Sequence, residues 1–153
     1  MKTKIARAAK RGLAAFSLTC ALLVCAHAQK TTLTFKNGKA VVNTVIRPRK
    51  ETDAHLYLLQ LRKGQTVAIK VAAGSLFLSK ENECSAFFEL FDGRGEAVFI
   101  GDSMTGIDDW DGEVEKTGNY QIKVTFGCLE GFSAGDLRRK KPSLKYTLTV
   151  HKK

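Results

Sequence analysis

Apolar residues recur at every second position along most of the chain beyond residue 30, and this period of two constrains the fold more than any other feature. Gln65 to Ala72 is the clearest case. Val67, Ile69 and Val71 alternate with Thr66, Ala68 and Lys70, as in a strand with one face in a core and the other in water. The same pattern places Tyr57, Leu59 and Leu61 on one face of a strand, and Ala86, Phe88 and Leu90 on one face of another. Tyr120, Ile122, Val124 and Phe126 share a third face, and Tyr146, Leu148 and Val150 a fourth. Turn signals separate these runs: Asn37-Gly38, Lys63-Gly64, Asp92-Gly93-Arg94-Gly95 and Thr117-Gly118-Asn119. Asn37-Gly38 predicts a hairpin between Thr31–Lys36 and Lys39–Ile46, and Gly127 to Ser143 reads as one long loop. The expectation is an all-β chain forming a single antiparallel β-sandwich of roughly nine short strands.

The first 28 residues obey a different rule. Lys2, Lys4, Arg7, Lys10 and Arg11 precede an apolar stretch from Leu13 to Val24, and Ala26-His27-Ala28 follows. A basic start, a short apolar run and an A-x-A site describe a secretory signal peptide cleaved after Ala28. The apolar stretch is too short for a membrane span, which needs about 20 residues, so no transmembrane segment is expected. Thr19 and Val24 precede Cys20 and Cys25, where a lipoprotein signal wants a small residue instead of valine or threonine. The reading is therefore a leader at 1–28 and a β-sandwich domain at 29–153, delivered to the periplasm or secreted.

Removing the leader changes what the charge means. Five of the 25 basic residues and none of the 15 acids lie in it, so the net charge falls from +10 to +5. An exported chain meets little intracellular nucleic acid, and nucleic-acid binding is excluded on both charge and compartment. Two cysteines remain, Cys84 and Cys128. An even pair in an oxidising compartment predicts a disulfide, and no CxxC or histidine cluster suggests a metal or redox site in its place.

Catalysis has little to stand on. The mature chain holds two histidines, His55 and His151, and no GxSxG elbow, so neither an enzyme nor a cofactor is expected. The acidic stretch from Asp102 to Glu113 fails the EF-hand spacing, which puts Ile107 and Gly118 at ligand positions. It reads as a solvated turn, with an irregular calcium site at Asp108, Asp109 and Asp111 as the alternative. Trp110, the sole tryptophan, is either a sugar-stacking platform or a plug at the end of the core, and the plug is favoured. The sharper feature is Arg138-Arg139-Lys140-Lys141: four adjacent cations between two core strands must project into solvent. With Phe132 beside them they form a candidate partner surface, suited to an acidic cleft of another protein or to an anionic cell-envelope glycan or lipid headgroup, with a solubilising loop that has no partner as the alternative.

Several motifs add a resemblance. Asp53-x-x-x-Tyr57-x-x-x-Leu61-x-x-Gly64-Gln65-x-Val67, Phe88-x-Leu90-x-Asp92-x-x-Gly95, Trp110-x-Gly112, Thr117-Gly118-x-Tyr120-x-Ile122-x-Val124 and Tyr146-x-Leu148-x-Val150 resemble, in order, the signatures of bacterial pre-peptidase C-terminal-type domains. The resemblance implies a jelly-roll-like β-sandwich without catalytic residues, and an accessory module binding carbohydrate or envelope polymer is one function it allows. The end of the chain, Gly118 to Val124, Arg138 to Lys141 and Lys145 to Val150, is similar to small exported inhibitors of goose-type lysozyme. That family presents two arginines four apart and a tyrosine from an earlier loop. Arg139 matches the second arginine, Gly135 occupies the place of the first, and Val45 stands near that of the tyrosine. What this similarity implies is a binding protein that inhibits a lysozyme through a basic loop.

Overall fold

The computed structural model describes residues 29–101 and 108–153, and the expected leader at 1–28 lies outside them. The chain runs β1 (Gln29–Thr32), β2 (Lys39–Ile46), β3 (Ala54–Leu61), β4 (Thr66–Ala73), β5 (Leu76–Phe77), β6 (Glu83–Phe91), β7 (Ala97–Ile100), β8 (Asp109–Glu113), β9 (Gly118–Cys128), α1 (Ala134–Lys140) and β10 (Leu144–Lys152). These strands build two sheets. One has the order β1-β3-β9-β6, with β5 and β7 both pairing β6; the other has the order β2-β10-β4-β8. Among the described residues, no helix is long and apolar enough to cross a membrane.

The alternating residues meet between the sheets. Val67, Val71, Phe88, Leu90, Ile122, Val124, Leu148 and Val150 are fully buried, and Tyr57, Leu59, Leu61, Ile69, Phe126 and Tyr146 lie with them in one core. Every apolar position that the period of two assigned to a core face is buried. This is the all-β sandwich expected from the alternation, since a one-residue slip of any of these strands would turn its apolar set to water.

Two local expectations are corrected. The turn at Asn37-Gly38 forms, with φ of 51° and 74°, but its hairpin is a single bridge between Lys36 and Lys39. β1 pairs in parallel with β3, Leu33 N–H still donates to Leu58 C=O, and beyond it the chain crosses to the other sheet, where β2 pairs with β10. The turn therefore joins two sheets, and Gly38 is needed because a Cβ there would lie 2.7 Å from the Lys152 carbonyl oxygen. The second correction concerns Gly127 to Ser143, which is not one loop: β9 continues to Cys128, and a short helix follows.

Cys84 and Cys128 face each other across β6 and β9 and are joined by a disulfide. With a sequence separation of 44, the chain-entropy model gives the bridge about 4 kcal/mol of stabilisation. The bridge also fixes the start of the segment leading to α1. Beyond it, Leu129 N–H donates to Glu83 C=O, and the Asn82 side chain clasps the turn by donating to Gly131 C=O at 2.8 Å and accepting from Glu130 N–H at 3.1 Å.

Candidate functional site

The basic run occupies the last turn of α1 and its C-cap. Ser133 caps the N-terminus: its hydroxyl accepts from Asp136 N–H, and the Asp136 carboxylate accepts from Ser133 N–H in return. Asp136 in the first turn and Arg138, Arg139 and Lys140 in the last complement the helix dipole. Lys141 ends the helix in the left-handed region (φ 46°, ψ 56°), donating its N–H to Leu137 C=O, and Pro142 prevents further winding. Leu137 is the one buried residue of the helix. It anchors α1 to the sandwich and turns Arg138, Arg139, Lys140 and Lys141 outward, where all four are exposed.

These cations are not equivalent. Arg139 donates from Nη2 to Asp136 Oδ1 at 2.7 Å, so the arginine matched to the inhibitor family is already paired within its own helix. Asp136 is held below the usual carboxylate range by the Ser133 hydroxyl and N–H, and then by Arg139. Arg138 and Lys141 turn elsewhere. Together with Leu137 and Pro142 they line a groove of about 450 Å³ whose other wall is Arg47-Pro48-Arg49, from the loop between β2 and β3. That loop is pinned by Asp53, whose Oδ2 accepts from Arg49 N–H at 2.8 Å and Lys50 N–H at 3.0 Å. Among the described residues, no acidic side chain lies within 4.0 Å of the charged nitrogens of Arg47, Arg49, Arg138 or Lys141. Arg47 and Arg49 are not among the residues expected from the sequence; their signal there is the basic run Arg47-Pro48-Arg49-Lys50, which only the fold brings beside Arg138.

Phe132, just before the Ser133 N-cap, is half-buried: it lies edge-on to Phe126 with ring centroids 5.4 Å apart and packs against the core. Trp110 lies on β8 and is also half-buried against the core. Its indole covers Gly112, where a Cβ would come within 2.5 Å of Trp110 Cζ2. The indole borders a cleft of about 390 Å³ with Asp92, Glu96, Glu113, Lys116 and Tyr120. From Tyr120 to Cys128, β9 extends about 26 Å at about 3.3 Å per residue, so this cleft and the basic groove sit at opposite ends of the sandwich.

The acidic candidates do not wrap around a point. Asp109 and Asp111 are exposed on the extended strand β8, and Asp108 uses its backbone carbonyl to accept from Val71 N–H. Among the described residues, no three His, Cys, Asp or Glu side chains form a group able to hold a metal ion. The two histidines are far apart in role. His151 is exposed near the end of β10, whereas His55 Nδ1 meets the Tyr146 hydroxyl at 2.7 Å, which in turn meets the Tyr57 hydroxyl at 2.6 Å. This chain ties β3 of one sheet to β10 of the other. Burial lowers the His55 pKa and raises those of Tyr57 and Tyr146, which keeps all three neutral near pH 7.

Comparison with solved structures places the architecture. The periplasmic inhibitor of g-type lysozyme from Aeromonas hydrophila superposes with a TM-score of 0.55 at 22% identity, covering 82% of this chain and 96% of its own. The corresponding inhibitor from Salmonella Typhimurium superposes with a TM-score of 0.50 at 21% identity, covering 82% and 99%. The fold is shared. No protein-family model matches the chain, the pre-peptidase C-terminal type included, and no curated protein is significantly similar to it in sequence.

Proposed function

We propose that this protein is an exported, non-catalytic inhibitor of goose-type lysozyme that acts from the periplasm through the basic face of α1. The observation that carries the reading is the fold shared with periplasmic inhibitors of g-type lysozyme over nearly their whole length. The placement of Arg138, Arg139, Lys140 and Lys141 as an exposed cluster on a docked helix supports it further. In this reading Arg139 enters the acidic cleft of the enzyme and exchanges Asp136 for a catalytic carboxylate, as its planar fork allows. The exchange keeps one charge-assisted bond throughout, so Asp136 holds Arg139 in a helix-defined position until the partner arrives. Lys140 adds attraction at longer range, and the helix blocks substrate.

The test is titration of a goose-type lysozyme acting on cell-wall substrate. Sub-micromolar inhibition by the mature chain, lost in Arg139→Ala and retained in Lys63→Ala at the far end of the sandwich, supports the reading. Absence of inhibition at tens of micromolar overturns it.

A further inference from the structure

We propose that the groove between the Arg47-Pro48-Arg49 loop and the C-terminal end of α1 is a receptor site for an acidic peptide segment, one that carries a carboxylate beside an apolar side chain. The proposal does not depend on lysozyme inhibition, because Arg139 lies outside the groove and is already paired with Asp136.

The chemistry is one-sided. Three arginines and a lysine line the groove, no acid does, and no acidic side chain among the described residues neutralises any of the four. Arginine cannot shed its proton to relieve crowding, so the three guanidinium groups keep their charge and their mutual repulsion until an anion enters. A carboxylate suits them because each guanidinium presents parallel N–H donors at the spacing of two carboxylate oxygens. Between the cations, Pro48, Leu137 and Pro142 supply an apolar lining. A peptide can fill both parts with neighbouring side chains, whereas the anionic groups of a sulfated glycan such as heparin are not flanked by aliphatic side chains.

Both walls are preorganised, so little is lost in ordering them. Asp53 fixes the backbone at Arg49 and Lys50 through two hydrogen bonds. On the opposite wall, the left-handed C-cap and its bond to Leu137 C=O set the direction in which Lys141 leaves the helix. The shape also matters. The site is concave, so the partner must contribute the protruding segment, the reverse of a basic helix inserting into an enzyme cleft.

The experiment uses the mature chain and a fluorescein-labelled peptide of alternating glutamate and leucine, followed by anisotropy. A lysine–leucine peptide of equal length and unlabelled heparin provide the other arms. The expected result is saturable binding of the acidic peptide that weakens as NaCl rises. It should weaken roughly tenfold, about 1.4 kcal/mol, in the paired variant Arg47→Gln with Arg49→Gln. Lys63→Gln with Lys153→Gln removes the same charge from exposed positions at the far end of the sandwich and leaves the affinity within about twofold. Circular dichroism confirms that both variants fold. Equal weakening by the two pairs overturns the proposal, since attraction would then be diffuse. Heparin binding that requires Arg47 and Arg49, with no peptide binding, overturns the assignment to a peptide.

Discussion

Leu137→Ala tests how the basic face is held in place. Leu137 is 2% exposed and is the single buried side chain of α1, so nothing else in the helix can take over its contact with the core. Burial of a leucine side chain contributes roughly 1.5–3 kcal/mol, and truncation that leaves a cavity costs about 2–5 kcal/mol. Against that loss the Ser133 cap supplies about 1 kcal/mol, and a helix of seven residues has almost no stability of its own. The expectation is a loss near the lower limit, about 2–3 kcal/mol, because the free energy lost cannot exceed that with which α1 is docked. For a domain of this size that lowers the thermal midpoint by about 8–12 °C. The decisive assay is amide hydrogen exchange read residue by residue. Lys141 N–H, bonded to Leu137 C=O, should lose nearly all its protection, while the strand amides still report a folded sandwich. A midpoint within about 1 °C of the parent, with Lys141 still protected, would refute the anchoring argument.

Other expectations follow from the same contacts. Gly112→Ala drives a methyl group into the Trp110 indole, so the ring must move; the single tryptophan then reports a shifted emission maximum, with about 1–3 kcal/mol lost in chemical denaturation. An unchanged emission spectrum would show that the indole does not rest on Gly112. Because burial lowers the His55 pKa, the unfolded chain takes up a proton first as pH falls, and stability should decline as pH is lowered through about 6.5. Denaturation midpoints measured between neutral and mildly acid pH should show this slope, flattened in His55→Phe; the same slope in both proteins would place the proton uptake elsewhere.

The strands were legible because the core strands, apart from the end of β9 at Val124–Cys128, bury one face only. Val67, Ile69 and Val71 could be read as inward without knowing their neighbours, since a sheet with one wet face writes its register into the sequence. The partner of each strand was less legible. Asn37-Gly38 specifies positive φ and a reversal, and it does so in the structure, but a turn signal does not say whether the two arms stay in one sheet. Helix α1 escaped the period analysis because a single apolar residue, Leu137, cannot display a period. Its readable signature was the capping box Ser133-x-x-Asp136, in which aspartate takes the place more often held by glutamate or glutamine.

The candidate site divides in the same way. An exposed run of four cations was evident from Arg138 to Lys141, because so many adjacent charges cannot be buried between two core strands. Its internal division was not. The pairing of Arg139 with Asp136 exists only once both lie on a helix three residues apart, and the groove exists only once β2, β3 and β10 bring Arg47 and Arg49 beside Arg138. Phe132 shows what adjacency in sequence leaves out: one edge of its ring is taken up by packing against Phe126.

Lysozyme inhibition remains the most direct measure of the central claim. The mature chain, titrated into a goose-type lysozyme clearing a peptidoglycan suspension, is expected to inhibit at sub-micromolar concentration. Arg139→Ala should raise the inhibition constant by roughly tenfold or more, as expected when a charged hot-spot residue is truncated. Full enzyme activity in the presence of tens of micromolar folded protein would contradict the account.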